Sequence, residues 1–219
     1  MIPPKAIIFD LDGTLIHSAP DLHAAANVAL ASEGRDPLDL DTVISFIGNG
    51  VDALIAKSLD VTGGSDAALH VRALATFMAF YTQNMTTLTK AYPGVIAALN
   101  DFRDTGIPLG ICTNKPVQPA RDICDQMGLT AYFADITGAQ DGQARKPDPA
   151  PLLASIDNLG VDPAQALYVG DSAVDYHTAR NAHVSFRLFS KGYLNDPLPD
   201  LSESDSFDDW AAHGIPLPE

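Results

Sequence analysis

The sequence predicts an α/β fold: a Rossmann-like parallel sheet with helices on both faces, plus an inserted α-helical cap domain. Three observations carry that expectation. Short, nearly continuous apolar runs recur along the 219 residues, segments of helical period lie between them, and residues 18 to 85 interrupt the alternation with helical pattern alone. Continuous apolar runs mark strands covered on both faces, and their alternation with helices marks a parallel sheet.

The runs, in order, are AIIF (Ala6 to Phe9), IPLGIC (Ile107 to Cys112), ADIT (Ala134 to Thr137), ALYV (Ala166 to Val169) and VSFRLF (Val184 to Phe189). Between them, Val95, Ala98, Leu99 and Phe102 share one helical face before Gly106, and Leu152, Leu153, Ile156 and Leu159 do so before Gly160. The interruption holds three expected helices. The first starts with Ser18 and Asp21 at capping-box spacing and Pro20 in its first turn, and stops near Gly34. The second carries Val51, Leu54, Ile55 and Leu59; the third carries Val71, Leu74, Met78 and Tyr81, flanked by Leu69, Ala73, Phe77 and Phe80. The expected division is a catalytic core of residues 1–16 and 88–219 and a cap of residues 17–87. From about Leu194 the chain is rich in Pro and Asp, which suggests an extended, solvated tail pinned by Trp210.

Charge narrows the partners. Twenty-eight acidic residues against 13 basic ones give a formal net charge of -15, a field that repels nucleic acid and anionic lipid. Neither is expected as a partner. A small anionic ligand would need a local cation. Cys112 and Cys124 lack metal-ligand spacing and read as free thiols in a reducing, cytoplasmic setting. The first apolar run is too short for a signal segment, and no stretch approaches the roughly 20 apolar residues of a membrane span.

In an open α/β sheet, ligands bind at the carboxyl ends of the strands. Asp10 and Asp12 follow the first run there, Thr113, Asn114 and Lys115 the second, Arg145, Lys146 and Pro147 lie after the third, and Gly170, Asp171, Ser172 and Asp175 follow the fourth. Residues two apart in extended chain point to one side, so Asp10 and Asp12 face one cavity, where Asp171 joins them. Such carboxylates repel unless a cation joins them. An all-oxygen donor set suits a hard metal, and Mg²⁺ is the natural choice when phosphate completes the shell. With Lys146 and the Thr113 hydroxyl nearby, the set reads as a phosphoryl-transfer site.

The motifs DLDGT (Asp10 to Thr14), CTN (Cys112 to Asn114), RKPDP (Arg145 to Pro149) and GDSAVD (Gly170 to Asp175) resemble the four motifs of the haloacid dehalogenase superfamily, in order. Within it, DGTLIHSAPDL, IGNG (Ile47 to Gly50), YPGV (Tyr92 to Val95), TNKP and VGDSAVD are similar to phosphoglycolate phosphatases. The resemblance implies Asp10 as nucleophile and Asp12 as general acid and base. It implies a metal held by Asp10, the Asp12 backbone carbonyl and Asp171, a phosphoryl group bound by Thr113, Asn114 and Lys146, and Asp175 orienting Lys146 or the metal shell. The substrate would be a small phosphomonoester, 2-phosphoglycolate as the best single choice, and the protein a monomer or homodimer. A hexose-phosphate mutase, another sugar or nucleotide phosphatase, and a non-catalytic phospholigand-binding module are the alternatives. The retained Asp12 favours a phosphatase over a dehalogenase, since an alkoxide needs a proton and a halide does not. His17 and His183 depart from the usual acidic residue and glycine. Asn49 and Lys57 are candidate specificity residues in the cap.

Overall fold

The structure, a computed structural model, describes residues 3–198 and 200–218. The chain forms two compact units, one running to His17 and from Ala91 onwards, the other from Ser18 to Lys90. In chain order the first unit begins with β1 (Ala6–Phe9) and β2 (Ile16–His17). The second unit holds α1 (Ala19–Ser32), α2 (Leu40–Ile44), α3 (Val51–Val61) and α4 (Ala67–Asn84). After β3 (Lys90–Ala91) come α5 (Val95–Asp104), β4 (Leu109–Pro116), α6 (Val117–Gln126), β5 (Asp135–Ala139) and α7 (Ala150–Asn158). The chain continues through β6 (Ala166–Gly170), α8 (Ala173–Ala182), β7 (Ser185–Phe189) and β8 (Ser206–Phe207).

The main sheet has six strands in the order β5-β4-β1-β6-β7-β8, and its pairings are parallel. β1 is central, with Ile8 opposite Gly110 on one side and Tyr168 on the other. Its alternating side chains feed two cores. Ala6 and Ile8 pack with Leu152 and Ile156 of α7 and Ala179 and Ala182 of α8. Phe9 turns the other way, onto Phe102 of α5, Phe133 and Trp210. Helices therefore cover both faces, which is why the strands read as unbroken apolar runs.

Four expectations change. The second strand runs on to Pro116, past Cys112, because a register irregularity against β5 between Cys112 and Pro116 carries the polar TNK stretch inside the strand. The stretch from Leu194 is no solvated tail: Phe207 adds a sixth strand beside β7, and Trp210, 1 % exposed, packs on Phe9, Phe189 and Phe207. Ser18 makes no cap hydrogen bond with its side chain. Instead Asp21 accepts from the backbone N–H groups of Leu88 and Thr89 and from the Thr89 hydroxyl, at 2.8 to 3.0 Å. In α4 the buried stripe is Ala73, Phe77 and Tyr81, while Val71 is 67 % exposed. No helix of the described residues is long and apolar enough to cross a membrane.

Candidate active site

The site is assembled at the carboxyl ends of β1, β4 and β6 and in the loop between β5 and α7. Asp10 extends β1 by one residue, its N–H donating to the Val169 carbonyl at 2.9 Å. The chain then turns: Thr14, Leu15 and Ile16 N–H groups all converge on the Leu11 carbonyl at 3.0 to 3.4 Å. Gly13 adopts φ 89°, and a Cβ there would run into the Asp171 carboxylate. The glycine of DLDGT is thus fixed by both conformation and space.

Lys146 is the centre of the site. Its side chain is 2 % exposed, and Nζ lies 2.9 Å from Asp10 Oδ1 and 2.6 Å from Asp175 Oδ1. It also donates to the Tyr168 hydroxyl at 2.9 Å. Asp175 and Tyr168 accept hydrogen bonds from the ammonium, and Asp10 meets it as an ion pair. The lysine backbone is fixed as well: the Asn114 amide donates to the Lys146 carbonyl and accepts from the Lys146 N–H, both at 2.9 Å. The following bond, Lys146–Pro147, is cis. Burial alone would lower the lysine's pKa, but Asp10 and Asp175 outweigh it and hold the group protonated far above neutrality.

Asp175 serves two elements at once. Its Oδ2 accepts from the Asp171 and Ser172 N–H groups and the Ser172 hydroxyl, completing a reciprocal capping box at the start of α8. Its Oδ1 accepts from Lys146 and from Tyr168. Burial pushes this carboxyl upward, yet Lys146 and the Ser172 and Tyr168 hydroxyls hold it below the usual range. Asp171 has fewer partners, accepting from the Thr14 hydroxyl at 2.7 Å and the Tyr193 N–H at 2.6 Å. Burial, then the charges of Asp175 and Asp10, drive its carboxyl well above the usual range. Asp10 is pushed up to about 6 by burial, which outweighs the opposing charge of Lys146.

Asp10, Asp171 and Asp175 bring ligand oxygens within 4.8 Å of one another. This trio differs from the expected one in holding Asp175 where Asp12 was anticipated. Asp175 is already saturated by donors. Asp10 Oδ1 is buried and accepts no directed hydrogen bond among the described residues, Lys146 meeting it as an ion pair. Two buried carboxylates that offer oxygen ligands, one of them with an oxygen that accepts no hydrogen bond, fit a divalent cation. Asp10 and Asp171 are the residues that could hold it.

The Asp12 carboxylate is engaged elsewhere. Lys115 Nζ donates to both of its oxygens, at 3.1 and 2.9 Å, with side-chain exposures of 2 % for the lysine and 13 % for the aspartate. The two aspartates of DLDGT are thus each met by a different buried lysine. Thr113 precedes Lys115 by two residues on β4; its hydroxyl oxygen accepts from the Lys115 N–H at 3.2 Å, and its proton stays available to a ligand.

Reasoning from residues alone placed Asp10, Asp171, Asp175 and Lys146 in one neighbourhood, where they are. Asn114 is there too, with its amide spent on the Lys146 backbone. Lys115 stands among the polar residues expected at the strand ends and Thr14 within DLDGT, both without an expected role, and the sequence does not point to Tyr168 or Tyr193. Lys115 carried a usable signal, its two-residue spacing from Thr113. Tyr168 carried none, being one more apolar residue inside ALYV. IGNG forms the turn that starts α3, with Gly50 at its cap and Gly48 at φ 115°. Lys57 lies over the Phe46 ring. His183 ends α8 at φ 55°, a left-handed position that glycine would take without strain, and His17 meets the Tyr193 hydroxyl through Nδ1 at 2.9 Å.

The chain is similar to known proteins over most of its length. The sequence profile of haloacid dehalogenase-like hydrolases matches residues 7–189. A phosphoglycolate phosphatase of Cereibacter sphaeroides is 46 % identical over 196 residues, covering 89 % of each chain. One from Rhodospirillum rubrum is 42 % identical over 217 residues, covering 96 % of this chain and 90 % of the relative. The crystal structure of a predicted phosphoglycolate phosphatase from Haemophilus somnus superposes with a TM-score of 0.90 at 30 % identity, covering 96 % of both chains. Because the matched span runs from β1 to β7 and contains every residue of the lysine-centred cluster, the chain belongs to the haloacid dehalogenase-like hydrolases.

Proposed function

We propose that the protein is a Mg²⁺-dependent phosphatase that hydrolyses 2-phosphoglycolate to glycolate and phosphate. The observation that carries this reading is the separation of two adjacent carboxylates into two environments. Asp10 is paired with Lys146, which also binds Asp175, and Asp12 with Lys115. Such a division gives one carboxylate the nucleophile's task and the other the proton's.

In the first step an Asp10 oxygen forms a bond to phosphorus. The ester oxygen departs and takes its proton from Asp12. In the second step the Asp12 carboxylate removes a proton from water, the water oxygen attacks phosphorus, and the aspartyl-phosphate releases Asp10 and phosphate. Lys146, fixed by Asn114, Asp175 and Tyr168, keeps Asp10 aimed at the phosphorus and balances charge on the phosphoryl oxygens. The Thr113 hydroxyl donates to one of those oxygens. Asp10, Asp171 and the Asp12 backbone carbonyl would hold the Mg²⁺, which would supply positive charge to the phosphoryl group.

The choice of 2-phosphoglycolate rests on the names of the relatives in Cereibacter sphaeroides and Rhodospirillum rubrum. We assign the unit from Ser18 to Lys90 as the cap and the remainder as the catalytic core. A cytoplasmic location fits Cys112 and Cys124, both buried and free, with thiols pushed up to about 12 by burial. The test is phosphate release from 2-phosphoglycolate, hexose phosphates, nucleotides and pyrophosphate, with and without Mg²⁺. Metal-dependent release with the highest kcat/KM on 2-phosphoglycolate supports the assignment. Isomerised sugar phosphate without free phosphate would identify a mutase, and analogue binding without turnover a binding module.

A further inference from the structure

Three buried cations occur among the described residues: Lys115, Lys146 and Arg187. Arg187 is committed to the carbonyls of Ser204 and His213. Lys146 lies between Asp10 and Asp175. Lys115 has no part in the two steps above, yet it is held against the group that must protonate the leaving oxygen.

We propose that Lys115 reads the carboxylate of the substrate and is the specificity-determining residue of the catalytic core. The inference rests on the assignment of a 2-phosphocarboxylate as substrate. In 2-phosphoglycolate the carboxylate is bonded to the same carbon that carries the leaving oxygen. Whatever donates a proton to that oxygen is therefore next to whatever holds the carboxylate. Asp12 is the proton donor, and Lys115 Nζ touches both Asp12 oxygens. Groups one carbon apart in the substrate meet groups one hydrogen bond apart in the protein.

Charge supports the same placement. Four carboxylates, Asp10, Asp12, Asp171 and Asp175, face two lysines in the site, on a chain of net charge -15. With a divalent cation held by Asp10 and Asp171, the metal and Lys146 would lie beside the phosphoryl group, and Lys115 is the cation beside Asp12. The additional carboxylate of the substrate needs its own cation. At 2 % side-chain exposure, Lys115 acts with little screening by water. Lys115 also follows Thr113 by two residues at the end of β4, its N–H donating to the Thr113 hydroxyl oxygen at 3.2 Å, so the phosphoryl-binding hydroxyl and the carboxylate-binding ammonium come from one short stretch of chain.

The test compares kcat/KM for 2-phosphoglycolate and for ethyl phosphate, which keeps the ester carbon and replaces the carboxylate by methyl. The 219-residue chain is assayed with Mg²⁺. Wild type favours 2-phosphoglycolate by about 100-fold or more. Lys115→Met lowers that ratio by about 30-fold or more, whatever loss the two substrates share, and Lys115→Arg restores most of it. A ratio within about 3-fold of wild type in Lys115→Met, with both activities falling together, overturns the inference and leaves Lys115 serving Asp12 alone. Should the methionine variant not fold, Lys115→Gln supplies the same ratio. Wild type that cleaves both esters equally overturns the inference while the phosphatase assignment stands. Wild type that cleaves no phosphomonoester overturns the assignment itself.

Discussion

Asp10 sits in a place that works against its own charge. Its carboxyl lies at about 6, against 3.8 ordinarily, because burial outweighs the pull of Lys146. A carboxyl raised on folding binds its proton more tightly in the native state, so its contribution to stability is full below pH 3.8 and lost as pH rises through about 6. Asn imitates the neutral form. Metal-free Asp10→Asn is therefore expected to be more stable than wild type at pH 8, by about 3 kcal/mol, with the margin shrinking as pH falls from about 6 towards 4. Urea denaturation at several pH values checks this, and the same variant should lose at least about 10³-fold in phosphate release. Tyr168 makes a complementary case. Its hydroxyl accepts from Lys146 and lies within hydrogen-bond distance of Asp175 and the Cys112 carbonyl. Tyr168→Phe strips a buried polar bridge and should lower stability by about 1 to 3 kcal/mol, read from the same denaturation curves. Asp10 was legible because it directly follows a strand end; Asp12 was not, since the chain turns after Leu11 and its carboxylate goes to Lys115. Tyr168 was not, since only the packing of β6 against β1 and β4 brings its ring beneath Lys146.

At the level of elements, what the sequence hid was pairing between distant segments. β8 contributes two residues, Ser206 and Phe207, among a run of Asp, Ser and Pro. Nothing periodic marks it. Its place comes from Phe207 and Trp210, which close the aromatic cluster around Phe9 and Phe189. Trp210→Ala should accordingly cost about 3 to 5 kcal/mol, far more than a substitution in a solvated tail, and thermal or urea unfolding measures it. The extension of β4 through Thr113, Asn114 and Lys115 has a similar origin. Polar residues at a strand's end look like a loop until the neighbouring strand supplies partners. The capping residues show the converse lesson. Ser18 and Asp21 have the spacing of a capping box and do not form one, whereas Ser172 and Asp175 do. Asp21 has three donors from Leu88 and Thr89 within reach, and local spacing loses to them.

Across the whole molecule, the strand-helix alternation specified the parallel sheet and the place of the site, while the charge balance posed the question that the site answers. A strongly acidic chain here gathers Asp10, Asp171 and Asp175 in one buried spot that could hold a divalent cation beside Lys146. Mg²⁺ should therefore stabilise the protein, by about 2.7 kcal/mol at 100 times its Kd. The gain should be larger at pH 8 than at pH 5, because protons compete for Asp10 and Asp171 at the lower pH. Thermal shifts with and without Mg²⁺ at the two pH values check both statements. The central claim concerns where the phosphoryl group goes. The most direct measurement is acid quenching of the enzyme during turnover of 2-phosphoglycolate with Mg²⁺, followed by peptide mass analysis. The expected result is one phosphoryl group on Asp10 of the wild type and none on Asp10→Asn. Phosphate release at the wild-type rate by Asp10→Asn, or a phosphoryl group trapped on any other residue, would contradict it.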